Sequence, residues 1–509
     1  MAKDNDQFQI PNHKDKKMFI GVVWNCAAEL KILLSALLFL CSLITLFQFF
    51  PSSFRDLRGC ASFPPPSSVV PFLTTTTNTT TPPPPPIELP QNKKLEDVVV
   101  ETGLIKRNFN GYGTAAYNFI LMSAYRGGVD TFAVIGLSSK PLHLFSKPTY
   151  LCQWVPHNVT EKEENITASG YKILPDWGYG RVYTVVVVNC TFPFPVGHDG
   201  TGGQLLVHAS TSGGGDSNFD LTDTIEALTE TPGSLNTLQF TAPPKYDYLY
   251  CGSPLYGNLS PQRVREWMAY HVNFFGERSH FVIHDAGGVH PEVMEVLRPW
   301  IEKGYVTLQD IKEEERFDGY YHNQFLIVND CLHRYRFMTK WMFFFDVDEF
   351  LFVPKKGTIK TVTDSLSQYT QFTIEQRTMS NKLCYLDDSA GKIYRKWGIE
   401  KLVYRDIKRG IRRDRKYVIQ PRNVFATGVH MSQNILGKST HRTEGKIMYY
   451  HYHGTISERR EPCRQLVNTT NLNVGGTPYV VDTTVREAAG NVKRFEIRMI
   501  GSVLQRTRQ

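Results

Sequence analysis

The chain has 509 residues, a formal net charge of +8 and 21% charged side chains. A basic excess this mild suits local contact with an anionic ligand and excludes a surface built to bind nucleic acid. Residues 51–90 hold eleven of the 29 prolines and seven threonines, so this stretch cannot form a core.

Lys3, Lys14, Lys16, Lys17 and Lys31 precede Ile32–Phe50, 19 residues without a charge. That is close to the roughly 20 residues a helix needs to cross a bilayer. The stretch runs through Phe47, Phe49 and Phe50 into Pro51 with no small-residue exit, which argues for an uncleaved anchor. The positive-inside rule then makes residues 1–31 a cytosolic tail, 32–50 a transmembrane helix and everything from residue 51 lumenal, with 51–94 as a Pro/Thr-rich stem. All the sequons, at Asn78, Asn158, Asn165, Asn189, Asn258 and Asn468, follow the span, as N-glycosylation of a lumenal part requires. Cys152, Cys190, Cys251, Cys331, Cys384 and Cys463 show no CxxC pair or zinc spacing, so disulfides are expected, with Cys152 to Cys190 as the pair that shares one domain.

Residues 95–243 read as a β-rich module. Short runs such as Val98–Val100, Thr131–Ile135, Val182–Val188 and Gln204–Val207 predict an antiparallel β-sandwich, with the glycine-rich stretch Gly200–Gly215 as a hairpin tip. Pro243 and Pro244 mark the border of a second domain, expected over 244–480 and followed by a basic helical tail over 481–509. From Tyr246 strands and helices alternate. Strand Tyr248–Cys251 leads to a helix capped by Ser260 and ending at Phe275, then strand His280–Asp285, helix Pro291–Lys303, strand Tyr305–Leu308, helix Gln324–Arg336 and strand Trp341–Asp348. This order predicts a mostly parallel, Rossmann-like α/β sheet with its site at the carboxyl ends of the strands.

Asp346 and Asp348 close the last of those strands, directly after Phe343, Phe344 and Phe345. Two carboxylates at that spacing suit Mn²⁺, or Mg²⁺ as the alternative, held together with substrate phosphates. Far downstream, His451 and His453 offer imidazoles on one face of an aromatic strand. The basic stretch 392–416 supplies cations for a diphosphate, most of them on a solvated face. In the β-rich module Trp154, Trp177 and Tyr179 are the aromatic candidates for a glycan platform.

The run Phe344–Leu351, with Lys416–Pro421, Gly428–His430 and His451–His453 downstream, resembles glycosyltransferase family 92, the DUF23 domain. The tail, span, stem, β-rich module and catalytic domain are together arranged like the plant members of that family. The resemblance implies a GT-A fold, UDP-galactose as donor, Mn²⁺, inversion at the anomeric carbon, and elongation of β-1,4-galactan side chains of pectin at the Golgi membrane. A carbohydrate-binding role for the β-rich module and a homodimer are compatible with it. With the family pattern, Asp348 and His451 are expected as metal ligands, Asp346 at the donor ribose or the ion, and Lys416 and His430 at the donor. Inversion also needs a base, which the residues leave open among Asp387, Asp388, Glu400 and Glu444. Two other readings stay in view: galactosyl transfer to protein N-glycans, and a non-catalytic membrane-anchored glycan-binding protein, against which the intact acid pair argues.

Overall fold

The computed structural model describes residues 98–99, 104–106 and 119–507, apart from 140–146, 158–165, 176–182, 213–221, 318–319, 355–356, 387–395, 409–414 and 458. The expected span Ile32–Phe50 and its stem lie outside the described residues, and no helix among the described residues is long and apolar enough to cross a membrane.

Seven strands make the accessory region: β1 (Ile120–Arg126), β2 (Thr131–Ser139), β3 (Lys147–Pro156), β4 (Ile166–Ile173), β5 (Tyr183–Thr191), β6 (Gly203–Ser212) and β7 (Thr222–Glu230). They form one antiparallel sheet in the order β1-β2-β5-β4-β3-β6-β7, not the two stacked sheets of a sandwich. The sheet curls instead until its edges meet. Arg126 on β1 grips Glu230 on β7 through two hydrogen bonds of 2.7 Å, and its guanidinium lies over the rings of Phe132 and Trp154. Curling buries an interior of Phe119, Phe132, Trp154, Val186, Val188 and Leu205, pinned by the expected Cys152–Cys190 disulfide. Of the glycine-rich stretch expected as a hairpin tip, Gly203–Ser212 is the ten-residue strand β6, which pairs antiparallel with β7, and Gly213–Gly215 lie outside the described residues.

The valine run of β5 is buried on both faces, which explains why it lacks polar alternation. Val186 and Val188 face the sheet's interior, while Val185 and Val187 join a second core with the helix Gln324–Arg334.

The second region follows the expected alternation closely. Strand β8 (Tyr246–Cys251) leads to α1 (Pro261–Phe275), β9 (Ser279–Asp285), α2 (Pro291–Glu302), β10 (Val306–Asp310), α3 (Gln324–Arg334) and β11 (Thr339–Phe344). Ser260 caps α1 by accepting from Arg263 N–H at 3.3 Å, and Gly276 ends the helix at φ 83°. Strands β10-β9-β8-β11 are parallel. Beyond β11 the sheet turns mixed, through β14 (Lys416–Ile419), β13 (Gln371–Thr378), β15 (Met448–His451) and β12 (Glu349–Phe352).

Two expected boundaries move. The short strands Val98–Val99 and Leu104–Lys106 belong to this second sheet, the one expected to be catalytic, where Leu104–Lys106 pairs in parallel with β10 and covers its otherwise open edge. The basic C-terminal segment is helical as expected but is part of the domain: helix α4 (Thr484–Ile500) buries Val485, Ala489 and Val492 in its core, and Glu496 forms a buried 2.6 Å ion pair with Arg265 of α1. Apolar positions spaced three and four apart give α4 an inward stripe, and its basic side chains occupy the other face.

The accessory sheet and the catalytic sheet share α3. Its Phe325, Ile327, Val328 and Leu332 pack among Ile135, Val185 and Val187 on one side and Leu249, Val282 and Phe344 on the other. Buried Asp330 accepts hydrogen bonds from Ser123 at 2.7 Å and Tyr125 at 2.6 Å, and Cys251–Cys331 bonds β8 to the helix. A third disulfide joins Cys384 and Cys463.

Candidate active site

Strand β11 stops at Phe344, so the acid pair does not ride its tip. Asp346 and Asp348 occupy a turn into β12, closed by Glu349 N–H donating to Asp346 carbonyl at 3.2 Å. The turn is admitted by Gly252 at the end of β8, where a Cβ would lie 2.1 Å from the Phe345 carbonyl oxygen. Pairing of β12 with β15 then sets Glu349 opposite His451 and brings the distant imidazole to the acids.

Ligand atoms of Asp348, His451 and His453 all lie within 4.8 Å of one another. His451 Nε2 is 3.5 Å from Asp348, while the other oxygen of that carboxylate accepts the Gly454 N–H at 2.9 Å. Gly454 has φ 70°, a conformation glycine adopts freely. Gln376 of β13 fixes the second nitrogen of His451 at 2.7 Å. Asp346 is held by the Lys416 ammonium at 2.7 Å, and its other oxygen is buried with no hydrogen-bond partner. Buried Glu349 accepts the Asp346 N–H at 2.7 Å and sits 3.8 Å from both Lys416 and His451.

Electrostatics follow from this crowding. Burial pushes Glu349 up to about 8, with Lys416 pulling the other way. Burial alone would raise Asp348 and depress His451. Their mutual contact outweighs it, bringing Asp348 below the usual carboxylate range and His451 up to about 9. Lys416 is likewise raised, because Asp346 and Glu349 outweigh the burial that disfavours its charge.

These groups line a cavity of about 510 Å³, together with Tyr256, Tyr320, Tyr321 and His430. The expected metal and donor residues Asp346, Asp348, His451, Lys416 and His430 are therefore gathered in one place. His453 joins them as a full member of the ligand cluster, whereas the sequence reading favoured His451 over it. Of the candidate bases, Asp387 and Asp388 lie outside the described residues. Glu400 accepts the Trp397 N–H at 2.6 Å and pairs with Lys493, a structural role away from the cavity, and Glu444 is an exposed turn residue.

Trp154 is 1% exposed inside the accessory sheet and offers no face to a sugar; Trp177 and Tyr179 lie outside the described residues. The exposed aromatic ring on β4 is Tyr171, at 70%. Asn258 and Asn468 are exposed, Asn189 is partly buried on β5, and Asn78, Asn158 and Asn165 lie outside the described residues. Glu349 was missed by the sequence reading although it directly follows the acid pair, and Gln376 and Gly454 carry no motif of their own.

Residues 246–494 match glycosyltransferase family 92. The chain is similar over its whole length to galactan beta-1,4-galactosyltransferase GALS3 of Arabidopsis thaliana, at 59% identity over 518 residues and 100% of both chains. Galactan beta-1,4-galactosyltransferase GALS1 of the same plant is 52% identical over 78% of this chain and 79% of its own. Beta-1,4-galactosyltransferase galt-1 of Caenorhabditis elegans is 28% identical over 41% of this chain and 49% of its own. With a relative this similar from end to end, and the acids, lysine and histidines of its sequence motifs gathered in one cavity, the chain belongs to glycosyltransferase family 92.

Proposed function

We propose that the chain transfers galactose from UDP-galactose onto β-1,4-galactan, the polymer its plant relatives are named for. The observation that carries this reading is the Asp348, His451 and His453 cluster, set beside Asp346 and Lys416 in one cavity.

The residues fit a divalent ion. One carboxylate and two imidazoles with convergent ligand atoms suit Mn²⁺, and the unpartnered buried oxygen of Asp346 is an acceptor still in need of a positive or donating group. Asp348, His451 and His453 would hold the ion, which when bound would offset the charge of the departing diphosphate. Gly454 N–H and Gln376 orient the ligating side chains. For His451 Nε2 to ligate, its Nδ1 would carry the proton, and the Gln376 amide, whose nitrogen faces Nδ1 here, would have to turn over to accept it. Lys416 holds Asp346 against Glu349 and places a fixed positive charge at the cavity wall.

A Golgi location, a type II anchor in residues 32–50 and inversion at the anomeric carbon complete the proposal. We place glycan binding by the accessory sheet at its exposed face around Tyr171. Incubation of the full chain with UDP-galactose, Mn²⁺ and a panel of labelled oligosaccharides tests the central reading. Growth of galactan primers supports it; growth only of N-glycan acceptors, or of none, overturns it.

A further inference from the structure

One wall of the cavity is a turn that the ligand cluster does not explain. Tyr321, His322 and Asn323 have φ of 49°, 55° and 57°, three consecutive left-handed residues without a glycine. Asparagine adopts that conformation readily, but tyrosine and histidine hold it only where their surroundings impose it. Here the surroundings are specific. Asn323, 2% exposed, donates to the carbonyls of Glu314 at 2.8 Å and Phe317 at 3.1 Å. His322 contacts Glu315 at 2.6 Å and stacks on Tyr256 with ring centroids 3.9 Å apart. The Tyr256 and Tyr321 hydroxyls share a 2.7 Å hydrogen bond. Tyr321 is thereby fixed in the cavity wall, and Tyr320 beside it packs on Phe325 with ring centroids 5.5 Å apart, while the two remain 50% and 39% exposed.

We propose that Tyr320 and Tyr321 are the platform on which the acceptor's terminal galactose is seated, a proposal that rests on galactan being the acceptor. A small donor can sink to the acids and imidazoles on the cavity floor. A polymer can bring only its end to the reacting carbon, and that end needs a surface at the open rim. With its O4 axial, β-galactose presents one face made of the C–H groups at C3, C4 and C5, which matches the apolar face of a tyrosine ring. The paired hydroxyls add a donor and an acceptor for the sugar's own hydroxyls.

Calorimetry of the full chain with a β-1,4-galactan oligosaccharide alone, and separately with UDP and Mn²⁺, tests this, together with initial rates for Tyr320→Ala, Tyr321→Ala and Tyr321→Phe. The alanine variants should weaken oligosaccharide binding and raise its KM roughly tenfold. Their UDP affinity should stay within about twofold of wild type, which also verifies folding, and Tyr321→Phe should lose little because the ring remains. A loss confined to UDP affinity would assign the rings to the nucleobase and overturn the platform. Equal loss in the phenylalanine and alanine variants of Tyr321 would overturn stacking in favour of the hydroxyl pair. If wild type transfers galactose and the alanine variants keep its acceptor KM, the platform fails and the function stands. A wild type that transfers none removes the functional reading itself.

Discussion

Both sheets bury charge, and they do so in opposite ways. In the accessory sheet Arg126 and Glu230 meet through two hydrogen bonds, under aromatic rings, and the pair closes the curled edge. In the catalytic sheet Asp346, Asp348, Glu349, Lys416 and His451 are crowded together, three carboxyl groups against two cations, with Glu349 pushed up to about 8 by burial and an oxygen of Asp346 left without a partner. A closed pair serves the fold. A cluster with an unmet acceptor, opening on a cavity, is arranged for something that arrives later.

That contrast can be broken most directly at Asp348. Asp348→Ala should lower galactosyl transfer by roughly 10³-fold, since the lost charge stabilisation amounts to several kcal/mol. Without Asp348 the His451 imidazole can release its proton, so no charge is stranded and the melting temperature should move by only a few degrees. Retention of Mn²⁺-dependent transfer would sink the ligand assignment. The accessory pair predicts the reverse: Arg126→Ala leaves Glu230 without its partner and should cost about 3 kcal/mol of stability, while kcat of the folded fraction is unchanged. Chemical denaturation alongside initial rates separates the two patterns.

The pH dependence sharpens the comparison further. His451 stands at about 9, above the ordinary histidine value near 6.5, because Asp348 and its neighbours outweigh burial. Its contribution to the stability of the metal-free chain is therefore fully present below about pH 6.5 and lost as pH rises through 9. Mn²⁺ needs the neutral imidazole, so its affinity should rise over the same window. Melting curves and Mn²⁺ titrations between pH 6 and 10 check both slopes, and His451→Gln should reduce both, the stability slope that remains up to about pH 8 belonging to Glu349. The smallest effect is expected at Glu444, exposed and away from the cavity, where Glu444→Gln should change kcat less than about twofold.

The alternation from Tyr246 to Phe344 was legible because each helix carries its own cap and apolar stripe, and each strand its own buried run. Ser260, Gly276 and Phe343 declare their roles within a few residues. Other features depend on partners far along the chain. The apolar run Phe343–Phe345 passes through the acids into Phe350 and Leu351, so it reads as one strand, whereas the acids occupy a turn between two. Trp154 is open to a core or a sugar-platform reading until the curling of the sheet encloses it. The left-handed turn at Tyr321 has no glycine to announce it, and only its contacts to Glu314, Glu315 and Tyr256 account for it.

The strand at Leu104–Lys106 lies in the catalytic sheet, and the accessory strands occupy the chain between it and β8. The accessory region is thus an insertion held at both ends, and α3 glues its flank to the same core. A module hung on one linker searches a volume, and its benefit to a neighbouring site is an averaged local concentration. One clamped at both ends has a fixed bearing instead. Any polymer gripped on its outer face would approach the active site from a set direction and over a set span, so such a grip would give the molecule a built-in ruler where a tethered module would give only a leash.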